Sequence, residues 1–299
     1  MFENVLVGVD GSSNGRDAIT LASRLGDPNG KLTLANVRAG ETSPLHAVTP
    51  GLLEEERDAS LRLLERERAE AGVEGELLSV VAASPGAGLH RQAEAQGADL
   101  LVVGSCGRGA FGRVVLGDDT RAALNGAPCA VAIASRGYAE QPVALATIGV
   151  GYDESSESEA ALAVARGLAA ATDASILALE VISIPTYAYT GIVPPITGES
   201  VEVMLQEAST RMERLPGVQG RAVYGLTGEE LASFGEDLDL LVVGSRGYGP
   251  AKRLMLGSTS NYLERHARCS LLVLPRTAAG ADGSQAHSGH QAQALAAAS

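Results

Sequence analysis

Residues 99–120 read DLLVVGSCGRGAFGRVVLGDDT, and residues 239–260 read DLLVVGSRGYGPAKRLMLGSTS. Twelve of the 22 aligned positions are identical at a constant offset of 140 residues. The same offset continues downstream, where PCAVAIASR (128–136) aligns with RCSLLVLPR (268–276). A repeat of this length with matching flanks indicates that the chain contains two copies of one folding unit.

The beginnings of the two copies also match. NVLVGVDGSSNGRDAITLASRL (4–25) resembles ATIGVGYDESSESEAALAVARGL (146–168), and this alignment pairs Asp10 with Asp153. After the second copy the chain becomes rich in small residues without apolar periodicity, which is typical of disorder. We therefore expect two domains, called half 1 and half 2 below, and a disordered tail: residues 1–137, 143–276 and 277–299.

Each half alternates short apolar runs with amphipathic stretches. Runs such as VLVGV (5–9) and LTLANV (32–37) lack regular polar alternation, which is typical of strands that are covered on both faces. Amphipathic stretches such as 13–25 and 156–171 predict helices between them. The pattern predicts an α/β fold of two similar domains, each a doubly wound five-stranded parallel sheet with helices on both faces.

Composition excludes several classes of function. The 299 residues are 45% hydrophobic and 20% charged, so each half can bury a core. The formal charge of −13 is unsuited to non-specific nucleic-acid binding, which needs an excess of cations. No apolar run is long enough to span a bilayer, no export signal is visible, and the histidines and cysteines lack metal-ligand spacing. We expect a cytoplasmic protein that binds neither membrane nor nucleic acid.

Glycines follow the fourth predicted strand of each half. In half 2, Gly244 and Gly247 allow a sharp turn, and nine residues separate them from Gly257. The helix that begins near Ser258 offers main-chain N–H groups to an anion. The segment 244–263 contains no acid. Its three cations are Arg246, Lys252 and Arg253. Because ligands of open α/β sheets bind beyond the carboxyl ends of the strands, this loop predicts a polyphosphate site.

The pattern G-x2-G-x9-G-[S/T], together with V-G-x-D near the start of each half, resembles the universal stress protein family over residues 2–136 and 144–276. The resemblance implies a fold like that of the adenine-nucleotide alpha hydrolases and an ATP-binding role in regulation or stress response. It also implies that the two halves pair as an intramolecular pseudo-dimer, and it leaves a homodimer open. In half 2 the resemblance implies that Asp153 and Val181 contact the adenine side and that Gly244 lies by the ribose. It implies that the phosphates are held by Gly247, Gly257, Ser258 and Thr259.

Half 1 matches the family pattern less completely. The matching residues are Asp10, Val37, Gly104, Gly107 and Gly117. Asp118 and Asp119 replace the hydroxyl residues of half 2. Their two negative charges reduce the net charge of the loop to +1, because its cations are Arg108, Arg113 and Arg121. We therefore expect one tight ATP per chain, with Mg²⁺ bridging its phosphates, while half 1 could hold a less phosphorylated nucleoside.

Other interpretations stay open from the sequence. The chain could be a weak ATP hydrolase or phosphotransferase, or an interaction scaffold without a ligand. Hydrolysis needs a base or a group that positions water, and 244–263 contains no acid or histidine, which favours binding without catalysis. Asp10 and Asp153 could instead be helix caps or turn formers, and the glycine loops could be tight turns.

Overall fold

The computed structural model describes residues 1–39, 51–105, 114, 121–123, 125–140, 144–183, 198–245, 254 and 257–276. Four predicted site residues lie outside the described residues: Gly107, Gly117, Arg246 and Gly247. The tail 277–299 and the aspartates of the half-1 loop, Asp118 and Asp119, also lie outside them. The sequence-based expectations for these positions therefore stay predictions.

The elements of the two halves follow the same order. Half 1 contains β1 (Phe2–Gly8), α1 (Ser13–Leu25), β2 (Gly26–Ala39), α2 (Leu52–Ala71), β3 (Glu76–Ala82), α3 (Pro85–Gln96), β4 (Leu100–Gly104) and β5 (Ala130–Ala134). Half 2 contains β6 (Thr147–Gly151), α4 (Ser156–Thr172), β7 (Ser175–Ile182), α5 (Gly198–Glu213), β8 (Gln219–Tyr224), α6 (Thr227–Phe234), β9 (Leu240–Gly244), α7 (Ser258–His266) and β10 (Ser270–Leu274). A 3₁₀ turn, Gly235–Asp237, follows α6. None of the described helices is both long and apolar enough to cross a membrane.

All ten strands form one sheet in the order β3-β2-β1-β4-β5-β10-β9-β6-β7-β8. The strands of each half are parallel, which confirms the predicted fold class, whereas β5 and β10 are antiparallel. Ala132 is paired with Leu272, its own counterpart in the repeat, so a pseudo-twofold axis passes between these two residues. The carboxyl ends of the strands of half 1 therefore point to one edge of the sheet and those of half 2 to the opposite edge.

Helices cover both faces of this sheet and bury two apolar layers. One layer contains residues of α1, α2, α4 and α5, such as Leu64 and Leu162. The other contains residues of α3, α6 and α7, such as Leu89 and Leu263. Each layer includes residues of both halves, because alternate residues of β5 and β10 face opposite sides of the sheet. The core is thus continuous across the junction.

The largest departure from the predicted elements is β2, which begins at Gly26, directly after α1, instead of at residue 32. Gly26 is paired with Phe2, and after an irregularity in register Lys31 is paired with Asn4. Main-chain pairing with β1 extends the strand through the polar stretch DPNGK. Hydrophobic periodicity does not detect such an extension, because ladder hydrogen bonds need no apolar side chain.

The start of the connection between the halves is held against half 1 by a buried carboxylate. Asp17 on α1 is 2% exposed and accepts hydrogen bonds from the N–H groups of Gly137 at 2.8 Å and Ala139 at 2.7 Å. Burial raises the pKa of Asp17 above its ordinary value. Tyr138, between the two donors, is also buried. This part of the connection therefore packs as part of the core of half 1.

Candidate functional site

A cleft opens at the carboxyl edge of half 2, where β6 lies between β9 and β7 and the strand order reverses direction. Its volume is about 680 Å³ when the space open to solvent is counted. The apolar part of its lining comes from β7, α6 and β9: Leu179, Val181, Leu231 and Val243. The cleft thus occupies the position where doubly wound sheets bind ligands.

The structure brings most of the predicted half-2 residues together at this cleft. The predicted residues that line it are Asp153, Val181, Gly244, Gly257 and Thr259. Ser258 lies between two of these residues and is exposed. In half 1, Asp10 follows β1, Val37 lies on β2 and Gly104 ends β4, as their counterparts do in half 2.

The N-terminus of α7 faces the cleft without a side-chain cap. Its N-cap residue is Gly257, which has no side chain to accept a hydrogen bond, and the first turn contains no acid. Main-chain N–H groups at the start of a helix have no partner within the helix, and the helix dipole favours negative charge there. Together with the hydroxyl of Thr259, these donors suit a phosphate group.

Gly244 serves close packing, while the sharp turn predicted for Gly244 and Gly247 extends beyond the described residues and stays a prediction. Gly244 is the last residue of β9 and has no left-handed φ. A Cβ at this position would lie 2.6 Å from the Cβ of Glu157 on α4. In half 1, a Cβ on Gly104 would lie 2.2 Å from the carbonyl oxygen of Asn14. Glycine therefore lets the first turn of a helix approach the end of the strand in both halves.

Asp10 and Asp153 form the same local turn. The Oδ1 atom of Asp10 accepts hydrogen bonds from the N–H of Ser12 at 3.0 Å and from its hydroxyl at 2.6 Å. Asp153 accepts the equivalent pair from Ser155, with the N–H at 3.2 Å. The serines, and not the aspartates, are the N-cap residues of α1 and α4. The turn-forming interpretation is thus confirmed, and contact with a nucleotide stays a prediction.

Glu157, on the first turn of α4, also lines the cleft and was missed by the sequence analysis. Its Oε1 lies 3.4 Å from Nε of Arg276, and its Oε2 accepts a hydrogen bond from the Ser156 hydroxyl at 2.9 Å. An available signal was the repeat itself, which aligns Glu157 with the uncharged Asn14.

The lip of the cleft contains a left-handed residue that is not glycine. Glu154 has φ of 59°, and its counterpart in half 1 is Gly11, with φ of 79°. Arg211 on α5 contacts Glu154 at 3.2 Å and also binds the buried Glu180 on β7. Half 2 thus has a glutamate at the strained position where half 1 has glycine. The side chain of this glutamate forms an ion pair with Arg211.

Comparison with known proteins identifies relatives along the whole repeat. The sequence model of the universal stress protein family matches residues 1–135 and, a second time, residues 145–275. Universal stress protein Rv2623 of Mycobacterium tuberculosis is 28% identical in an alignment of 287 positions that covers 90% of this chain and 95% of that protein. Universal stress protein Rv2005c of the same species is 32% identical in an alignment of 187 positions that covers 59% of this chain and 61% of that relative's length.

Solved structures show the same fold. A universal stress protein from Archaeoglobus fulgidus superimposes with a TM-score of 0.65 at 17% identity, covering 92% of this chain and 99% of that one. A structure described as a putative universal stress protein from Pseudomonas aeruginosa gives a TM-score of 0.61 at 15% identity, covering 91% and 93%. At these identities the likeness concerns the fold alone.

The equivalent left-handed residues, Glu154 and Gly11, should respond differently to substitution. Glu154→Gly should leave the free energy of unfolding within about 1 kcal/mol of the parent, because relief of backbone strain offsets the loss of an exposed ion pair. Gly11→Glu should cost more than about 2 kcal/mol, because a Cβ there would also lie 2.7 Å from Cδ1 of Leu63. Urea unfolding measures both changes, and equal destabilisation by the two substitutions would contradict the asymmetry.

Proposed function

Because the chain belongs to the universal stress protein family, we propose that it is a regulatory nucleotide-binding protein that holds ATP in the cleft of half 2. The observation that carries this proposal is the composition of that cleft. Apolar side chains from β7, α6 and β9 and the uncapped N-terminus of α7 line the same space. The first surface suits a purine and the second suits phosphates.

In this proposal the two surfaces contribute different parts of the binding energy. The base packs against Leu179, Val181, Leu231 and Val243 and loses contact with water. The phosphates accept hydrogen bonds from the first N–H groups of α7 and from hydroxyl groups such as that of Thr259. Mg²⁺ would be held mainly by the nucleotide and by water, since it seldom occupies an all-protein cage, and it would neutralise part of the phosphate charge.

We propose one tight ATP site per chain, in half 2. Besides the aspartates Asp118 and Asp119, the contact made by Arg121 lowers the positive charge available in half 1. Its guanidinium binds Glu264 of half 2, a carboxylate with no exposed surface. Arg121 is thus engaged by another acid, and two arginines, Arg108 and Arg113, are left to balance two aspartates in the half-1 loop. The half-1 loop therefore has no excess of positive charge to offer a triphosphate.

Slow hydrolysis of ATP is a second candidate function, because Glu157 places a carboxylate on the cleft. Both oxygens of Glu157 have partners within the protein, so binding without turnover is favoured. If the chain hydrolyses ATP with Glu157 as the base, Glu157→Gln should reduce the rate of phosphate release by about 100-fold or more. An equal rate in parent and variant would exclude this role for Glu157.

Substitution of Gly257 tests the assignment of the phosphate end. Gly257 has φ of −79° and ψ of 177°, a conformation open to any residue, so Gly257→Val should fold. The branched side chain should keep phosphates from the N–H groups of α7 and weaken ATP binding by about tenfold or more. Calorimetry with Mg²⁺ measures the affinity, and Gly117→Val in half 1 is the matched control. Unchanged affinity in Gly257→Val would contradict the assignment.

The asymmetry between the halves predicts a stoichiometry. A carboxylate about 4 Å from a phosphate charge costs up to about 4 kcal/mol at an effective dielectric constant near 20, and half of that already weakens binding more than tenfold. Titration of the parent should therefore give one tight site. The double variant Asp118→Ser, Asp119→Thr should gain affinity at a second site. Two equal tight sites in the parent would refute the asymmetry.

A further inference from the structure

The segment that precedes the N-terminus of α7 is anchored on the other half. Leu254, three residues before Gly257, donates its N–H to the carbonyl of Ala127 at 2.9 Å and accepts a hydrogen bond from the N–H of Gly126 at 2.9 Å. Its side chain is fully buried. Half 1 therefore fixes the chain immediately before the phosphate-binding end of α7.

A reciprocal anchor holds half 1. Val114, the counterpart of Leu254, is fully buried and donates its N–H to the carbonyl of Ala267 in half 2 at 2.9 Å. Ala267 is itself the counterpart of Ala127, so these two main-chain bonds are related by the pseudo-twofold axis. Each half thus accepts a main-chain hydrogen bond from the other half.

A charged contact between the halves is one-sided. The guanidinium of Arg121 in half 1 binds Glu264, which lies on α7 and has no exposed surface, and Arg265 contacts the same carboxylate at 3.5 Å. The counterparts of Arg121 and Glu264 are Asn261 and Leu124, so the repeat contains no equivalent ion pair in the opposite direction. Half 1 therefore holds α7 by an ion pair that has no equivalent from half 2 to half 1.

We propose that half 1 is a structural part of the nucleotide site of half 2. In this proposal Arg121 is a positioning residue that acts on the phosphates through Glu264 and α7. The inference rests on the proposed function. A buried carboxylate is strongly disfavoured without its cation, so the pair ties α7 to half 1. Because Glu264 and Ser258 belong to one nine-residue helix, fixing Glu264 also fixes the N–H groups at its beginning. Donors that are already fixed bind phosphate with a smaller loss of entropy.

This arrangement assigns different tasks to two copies of one unit. Half 1 has aspartates in its own loop and uses Arg121 for contact with half 2. Half 2 has hydroxyl residues at the matching positions and receives the ion pair. In this view half 1 supports the site and half 2 holds the ligand.

The test compares ATP with adenosine in the full-length chain. Arg121→Gln should weaken Mg²⁺–ATP binding about five- to thirtyfold, which is the upper part of the range for an anion at a helix N-terminus. Its affinity for adenosine, which lacks phosphates, should change by less than about twofold, because adenosine contacts the apolar walls of the cleft. Arg121→Lys, which keeps the charge, should recover part of the ATP affinity. Calorimetry measures each affinity, and urea unfolding measures stability.

Arg16→Gln is a closely matched control. Arg16 lies 3.5 Å from Glu67, a carboxylate without exposed surface on α2, and Arg66 is a second partner of that carboxylate. The two arginines are similarly exposed, 40% for Arg16 and 35% for Arg121, but the Arg16 contact lies wholly within half 1. Arg16→Gln should lower stability without changing ATP affinity.

The outcomes separate the inference from the function on which it rests. Failure of the parent chain to bind ATP would overturn the proposed function. If the parent binds ATP, unchanged ATP affinity in Arg121→Gln would overturn the inference alone. Equal losses for ATP and adenosine, or equal ATP losses in Arg121→Gln and Arg16→Gln, would also overturn it, because they indicate general destabilisation. If Arg121→Gln does not fold, Arg121→Lys and Arg16→Lys provide the same comparison with smaller expected losses.

Discussion

The antiparallel pairing of β5 with β10 is the constraint on which the rest of the structure depends. It joins two five-stranded sheets into one and places a pseudo-twofold axis between Ala132 and Leu272. That axis sends the carboxyl edges of the two halves in opposite directions. It also brings the segment before α7 against half 1, where Leu254 and Ala127 are hydrogen-bonded. The chain that leads into α7, at one end of the cleft, is therefore anchored on half 1.

Within this frame, the two copies differ in residue type at equivalent positions. At the cleft of half 2, the N-terminus of α7 lies beside apolar walls, and Glu157 and Arg276 add an ion pair that half 1 cannot form through Asn14. The charged contact from Arg121 to Glu264 has no counterpart in the opposite direction, because the equivalent residues are Asn261 and Leu124. Small changes of residue type at equivalent positions thus give the two copies different charged contacts.

The sequence predicted the fold because its strongest signals are local and occur twice. Apolar runs without alternation indicated parallel strands, and the glycine loop of half 2 indicated the edge of the sheet where the cleft lies. Three features depend on packing that no local pattern encodes. Gly244 is needed for contact with α4, Glu157 reaches the cleft because β6 lies beside β9, and Arg121 meets Glu264 only when the halves pair. The extension of β2 was missed because main-chain pairing recruits polar residues.

The central claim is that one cleft per chain, completed by both halves, holds an adenine nucleotide by its phosphates. Native mass spectrometry of the intact chain, first as purified and then with saturating Mg²⁺–ATP, tests it most directly. The account predicts that the chain carries one adenine nucleotide and that a second is added only weakly. A chain that stays free of nucleotide in excess ATP, or that takes up two with equal affinity, would contradict it.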